Sequence, residues 1–405
     1  MKAIRKILLI ALLAALGGVV GFLSARYGLK LPHPPGWAVG HKLALLALLP
    51  VAALLAIGLH ELGHVLAGRA LGFRFVWLTV GPFKWKQMPA GLKFEWNTSL
   101  NTAGGLALCV PPDDHDLRRR FSWYALGGPL GSLAWAALAL GGFALLPAGG
   151  SPAAHVPLLA LAVSGLLSAL LFVVTLIPMH TGGFTSDGGR VLSLARGGPA
   201  GQLELAVLAA MVRSMAGTRP RELSRPALEA ALRAVAPLPT PPPFQKYAHY
   251  YLYLSLLDAG DPAAAAPHLA AYQAGAPDLP PAFQGSVWLE AAFFAAAYQH
   301  DAAAAEAFQR QAKPSPLTPA DVPPRVAAAL ARLAGDAALA RAQAQAALRE
   351  LPQSLDPGSA RFYADWLQDT LRWADAAETQ QTQQAQQAQQ ASMSEVPNEA
   401  VRRSV

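Results

Sequence analysis

Five consecutive residues, His60-Glu61-Leu62-Gly63-His64, form the pattern in this chain best suited to chemistry. On a helix, side chains four apart share a face. Both imidazoles can therefore grip one Zn²⁺ while Glu61 stands beside the open coordination position as a general base. A catalytic zinc site usually has three protein ligands, so the histidines need a partner from elsewhere. Asp187 is the best candidate. It is the first charged residue after the 66 uncharged positions from Phe121 to Ser186, and Gly188 and Gly189 behind it let the backbone turn sharply. Glu95 would suit a soluble enzyme with this motif, but it lies in a strand-like alternation where a solvated face explains it. Asp113-Asp114-His115-Asp116 looks metal-like, yet it reads as an acidic loop ahead of a basic helix start. His180 lies close enough to Asp187 in sequence to be a supporting or interfacial residue. The alternative for His60, Glu61, His64 and Asp187 together is a metal-free polar cluster that holds helices against one another.

The elements that must position these groups are apolar. The chain has 405 residues, 53% of them hydrophobic and 14% charged, with a mean hydropathy of +0.29, which is too apolar for an ordinary soluble protein of this length. Leu43 to Leu59, just before the histidines, contains no charge, and the Phe121–Ser186 stretch is split at Pro147-Ala148-Gly149-Gly150-Ser151-Pro152. Spans are expected near Leu43 to Leu71, Phe121 to Leu146 and Val156 to Pro178, each long enough to cross a hydrocarbon core of about 30 Å. Met1 to Leu23 is expected as a first transmembrane helix, with a signal peptide as its alternative. The formal net charge of +7 comes from basic residues flanking apolar runs, which fits positive-inside topology and not a nucleic-acid surface. The connection from Ala148 to Val156 has no Lys or Arg, whereas Arg69 to Arg120 has eight. That asymmetry places His60, His64, Asp187 and the C-terminal half on the cytoplasmic side. The lone Cys109 excludes an intramolecular disulfide and reads as a small buried apolar residue.

The expected fold is mainly α: a polytopic membrane helical core with a small membrane-surface β-hairpin or meander, and a C-terminal soluble α-helical repeat-like domain. Residues 1–41 form the N-terminal helix and loop, and residues 42–200 the membrane core, with a β insertion at about 73–100. Residues 201–220 read as a juxtamembrane linker helix. Residues 221–377 read as a helical domain with turns recurring at Gly260-Asp261, His300-Asp301 and Gly335-Asp336. Such a stack either binds a protein or peptide partner or is a plain helical domain. Residues 378–405, rich in glutamine, read as disordered.

Over roughly Leu43 to Gly189 these residues resemble the site-2 protease family of intramembrane zinc metalloproteases. His60-Glu61-Leu62-Gly63-His64 matches its zinc motif, Asp187-Gly188 its Asp-Gly motif, and Gly127-Gly128-Pro129 is similar to its glycine-proline element. The resemblance implies one Zn²⁺ per chain held by His60, His64 and Asp187, with Glu61 as base. It also implies hydrolysis of peptide bonds in or near the transmembrane segments of membrane-protein substrates. The lipid bilayer is the expected setting, in a bacterial inner membrane with the C-terminal domain cytoplasmic. The strand-like region, Phe83 to Asn97 in particular, is then expected to offer an edge to an unwound substrate. Thr175 stands where the family usually has asparagine, and the interval from Pro178 to Asp187 is longer than usual. A catalytically silent membrane adaptor of the same fold is the alternative that this departure supports. A transporter with an intramembrane His/Glu/Asp relay is a further one, disfavoured by the small number of spans.

Overall fold

The computed structural model describes residues 37–88, 91–97, 104–146, 151–181, 184–313, 315 and 318–394. The segment Met1 to Leu23 and the last eleven residues lie outside them. The described chain is mainly helical, with a small antiparallel sheet.

Among the described residues, three helices are long and apolar enough to cross a membrane: α1 (Val39–Ala70), α2 (Leu117–Leu145) and α3 (Pro152–Leu176). Fewer than a third of the residues in the apolar window of each are buried. Leu43, Leu46, Leu138, Leu166 and Leu170 are among the large side chains they turn outward. Pro50 lies within α1 and Pro129 within α2, each removing one intrahelical donor. These helices start and stop within a few residues of the apolar segments expected from hydropathy.

By contact density the chain divides into two units, residues 1–60 with 129–174, and residues 61–128 with 175–405. The division cuts α1 between His60 and Glu61, inside one continuous helix. In the first unit, Ser164 on α3 donates to the carbonyl of Ala52 (3.1 Å) and accepts from Trp135 Nε1 (2.9 Å), so a buried hydroxyl ties three apolar helices together.

In the second unit α1 ends at Gly72, whose φ of +77° only glycine adopts readily. Phe73 N–H donates to the Gly68 carbonyl (2.8 Å) and Gly72 N–H to that of Arg69 (3.0 Å), a Schellman stop that delivers the chain directly into a strand. Strands β1 (Arg74–Val80), β2 (Phe83–Met88), β3 (Gly91–Trp96) and β4 (Leu106–Val110) form an antiparallel sheet in the order β3-β2-β1-β4. Alternation legibly predicts β2 and β3. On one face Phe83 and Trp85 pair with Trp96 and Phe94, and on the other Lys84 and Lys86 lie opposite Glu95 and Lys93. Strand β4 lies beyond the expected 73–100 insertion. It is a continuous apolar run, Leu106-Ala107-Leu108-Cys109-Val110, without the period that marks a half-exposed strand.

A two-stranded ribbon follows, β5 (His180–Thr181) with β6 (Phe184–Thr185), then α4 (Asp187–Arg196) and α5 (Gly198–Met215). Residues 201–220, expected as a linker helix, are largely the helix α5, and Leu203, Val207, Leu208 and Val212 on it are almost fully buried, which makes it part of a core. Two of them, Leu208 and Val212, join Leu194 of α4 in one core with Phe73, Cys109, Phe121 and Tyr124. This shared core explains why residues 61–128 and 175–200 group with the C-terminal helices and not in a single 42–200 unit.

The remaining helices are α6 (Arg225–Val235), α7 (Gln245–Asp258), α8 (Pro262–Ala274), α9 (Pro281–Phe294), α10 (Ala302–Gln311), α11 (Val322–Leu333), α12 (Ala337–Glu350) and α13 (Pro357–Ser394). The three expected turns share one device. Gly260, His300 and Gly335 take left-handed φ, and the following Asp261, Asp301 and Asp336 each cap the next helix at 2.9 Å, through the amides of Ala264, Ala304 and Leu339. In the core, Glu290 accepts from Tyr253 (2.7 Å), Tyr363 (2.8 Å) and Arg325 (3.1 Å), and the Arg325 guanidinium stacks on the Tyr363 ring. Nearer the surface, Nδ1 of His249 on α7 and Nδ1 of His268 on α8 face each other at 3.0 Å. Helix α13 continues through Gln380-Gln381-Thr382-Gln383-Gln384, where composition suggests no order. Glutamine and alanine are good helix formers, so a segment with no core of its own can extend a helix already anchored upstream.

Candidate metal centre

One turn of α1 separates His60 from His64, and the polar side chains are buried: His60 is 6%, Glu61 8% and His64 8% exposed. Both rings are engaged through Nδ1 by α2. His60 Nδ1 lies 2.9 Å from Ser132 Oγ, and His64 Nδ1 lies 2.9 Å from the Tyr124 carbonyl and 3.2 Å from the Gly128 amide. A carbonyl only accepts, so the shorter His64 contact places the proton on Nδ1 and leaves Nε2 as the nitrogen this ring offers an ion. α1 and α2 can approach this closely because residue 127 is glycine. A Cβ there would stand 2.6 Å from both Ala67 Cβ and the Gly63 carbonyl oxygen.

Asp187 reaches the site as the first residue of α4. Its Oδ1 lies 3.5 Å from His64 Nε2. One ligand atom each from His60, His64 and Asp187 lies within 4.8 Å of the others, the one such group of three or more among the described residues. Two imidazole nitrogens and a carboxylate oxygen make a donor set that suits Zn²⁺. Asp187 is held from two directions. Ser186, the N-cap of α4, donates to the Ile177 carbonyl (2.7 Å) and accepts from the amides of Met179 (3.0 Å) and Gly189 (3.1 Å). Gly188 is pressed against the Leu176 carbonyl so closely that no Cβ would fit. The long interval after Pro178 is thus taken up by the β5–β6 ribbon and closed at its base by Ser186. On the next turn Arg190 pairs with Glu204 of α5 at 3.4 Å. Burial pushes the Glu204 carboxyl up, against the opposing pull of Arg190.

The Glu61 carboxylate packs on Gly105, whose φ is +107°. Gly105 immediately precedes β4, so the sheet edge beside Glu61 is β4. The expected edge, Phe83 to Asn97, comprises an inner strand, β2, and the opposite edge, β3. The remaining candidates lie outside the His60–His64–Asp187 group. Glu95 faces Lys93 (3.2 Å), Lys86 (3.4 Å) and Lys84 (3.9 Å); burial acts to raise its pKa, but Lys93 and Lys86 pull it below the usual range. Asp113 pairs with Arg120 and Asp114 with Arg213, both at 2.7 Å, and His115 donates its amide to Asp113. His180 sits in the β5–β6 ribbon opposite Thr185, its pKa lowered by burial and then by Lys246. Cys109 is buried, and burial pushes its thiol up to about 11, away from nucleophile chemistry. Thr175 Oγ1 is buried with no hydrogen-bond partner among the described residues.

Sequence reasoning passed over Ser132, Ser186 and Gly105. Ser132 is 72 positions from the histidine it touches, and only its polarity within an apolar span marks it. No protein-family model, curated protein or solved structure matches this chain.

Proposed function

We propose that this chain is an intramembrane zinc endopeptidase of the site-2 protease type, cleaving peptide bonds in or near the transmembrane segments of other membrane proteins. The convergence of Asp187 with His60 and His64, which lie more than a hundred residues before it, is the observation that carries the reading. Three long apolar helices that turn leucines outward support a bilayer setting. So does the β2–β3 ribbon, with Trp96 and Leu92 exposed on one face and lysines on the other. In this reading the C-terminal helices are cytoplasmic and recruit or gate the substrate.

His60, His64 and Asp187 would hold the ion, which when bound polarises the scissile carbonyl and makes water a nucleophile near neutral pH. Glu61 takes the proton as water adds to the carbonyl carbon, then delivers it to the amide nitrogen as the C–N bond breaks. Strand β4 is the sheet edge beside that carboxylate; the Tyr124 hydroxyl already holds its Ala107 carbonyl and Cys109 amide, so a substrate backbone would pair with the rest of this edge and be held extended through main-chain bonds. Burial of Glu61 excludes bulk water and strengthens the electrostatics of each step.

The test is Glu61→Gln in the purified full chain, which should keep zinc and lose cleavage of a transmembrane substrate by at least about a hundredfold. Unchanged cleavage would refute the role of Glu61. Thr175, whose hydroxyl has no hydrogen-bond partner among the described residues, favours one rival, a silent adaptor of the same fold. Zinc content without turnover of any model substrate would support that rival.

A further inference from the structure

We infer that Ser132 is a positioning residue for the metal centre, the group that aims His60. The inference rests on the zinc reading above and adds a determinant from α2. Ser132 is 0% exposed, and a hydroxyl buried in an apolar helix is costly unless it is hydrogen-bonded. Its hydrogen-bond partner among the described residues is Nδ1 of His60, at 2.9 Å. With the ring ligating through Nε2, Nδ1 carries the proton and donates it to Ser132 Oγ, which fixes the rotation of the imidazole about its stem.

The spacing supports the assignment. α1 presents its two histidines four residues apart, and α2 meets them four residues apart: Gly128 faces His64, and Ser132 faces His60 one turn further on. His64 has a main-chain partner, the carbonyl of residue 124, which does not depend on the side chain there. His60 has a side-chain partner, so its aim can be removed by deleting one hydroxyl on α2, with the spacing of the helices unchanged. Ser164 provides the contrast within the same set of helices. It is equally buried, but bonds to Ala52 and Trp135 and touches neither histidine.

The experiment measures zinc affinity of the purified full chain by chelator competition, and the visible spectrum of the Co²⁺-substituted protein, for wild type, Ser132→Ala, Ser132→Thr and Ser164→Ala. Ser132→Ala should weaken zinc binding roughly 10- to 100-fold and alter the Co²⁺ band. Ser132→Thr, which restores the hydroxyl, should stay within about threefold of wild type, and Ser164→Ala should match wild type even where it lowers thermal stability. Should Ser132→Ala fail to fold, Ser132→Cys keeps the volume with a much weaker partner for Nδ1, and the same loss is expected. A Ser132→Ala or Ser132→Cys protein that holds zinc and Co²⁺ as wild type does would overturn the inference and leave the metal centre standing. A wild-type chain that binds no zinc would overturn the metal centre itself, and this inference with it.

Discussion

Gly127→Ala tests how tightly the metal centre depends on the α1–α2 contact. The new methyl carbon would sit 2.6 Å from both Ala67 Cβ and the Gly63 carbonyl oxygen, where ordinary contact begins at 3.4 Å. The helices must therefore separate by about 0.8 Å at this level, at an overpacking cost of about 1–3 kcal/mol. The same movement stretches His64 Nδ1 from its 2.9 Å contact with the Tyr124 carbonyl to about 3.7 Å, beyond hydrogen-bonding range. His64 then loses its fixed orientation, and zinc affinity should fall roughly 10- to 100-fold in a chelator-competition titration. A second substitution sharpens the result. Ala67→Gly removes one of the two obstructions but leaves the Gly63 carbonyl, which belongs to the backbone and has nowhere to go. The double variant should therefore recover little affinity. Wild-type affinity in Gly127→Ala, or full recovery on adding Ala67→Gly, would refute the argument.

Two further outcomes follow from features away from that contact. Gly105→Ala should retain zinc yet lose most cleavage, because its Cβ would collide with the Glu61 carboxylate in a backbone conformation already unfavourable for alanine. Equal losses of metal and activity would show that Gly105 serves general packing instead. The His249–His268 pair predicts an acid-sensitive helical domain. Burial, then the neighbouring His268, lowers the His249 pKa to about 4 from its ordinary 6.5, so the folded state favours the neutral ring. The unfolded chain binds the extra proton between those values, so stability is full above pH 6.5 and declines as pH falls towards 4. Discounted for its partial exposure, the effect is about 1–2 kcal/mol. Thermal melts should show wild type losing more between pH 7 and pH 4.5 than His249→Phe, and parallel losses would exclude the pair as the cause.

Much of the candidate site was readable before any coordinates because it rests on local rules. The spacing of His60 and His64 is one helical turn, and Asp187 stands out as the first charge after a long apolar run. Strands β2 and β3 announce themselves through alternation. What escaped notice depends on distant packing. Nothing near Ser132 or Gly105 signals that one faces an imidazole and the other a carboxylate, because both contacts arise only once α2 and β4 lie against α1. Strand β4 was hidden for the opposite reason. Its uniform apolar run has no period to betray it. Residues 201–220 were legible as a helix but not as part of a core, because burial of α5 depends on the distant helices packed around it.

The Glu290 cluster divides α13 into two parts of unequal importance. Tyr363, near its beginning, closes a fully buried ring of hydroxyls and charges, so any protease cut upstream of it would leave a carboxylate and a guanidinium without their aromatic neighbour and dismantle the helical domain. From Thr379 to Ala385 the side chains lie in solvent, and the helix past Glu378 is an extension that can be trimmed without disturbing the domain. Nicking in the glutamine tract should leave a stable remnant, while nicking one or two turns before Tyr363 should leave none.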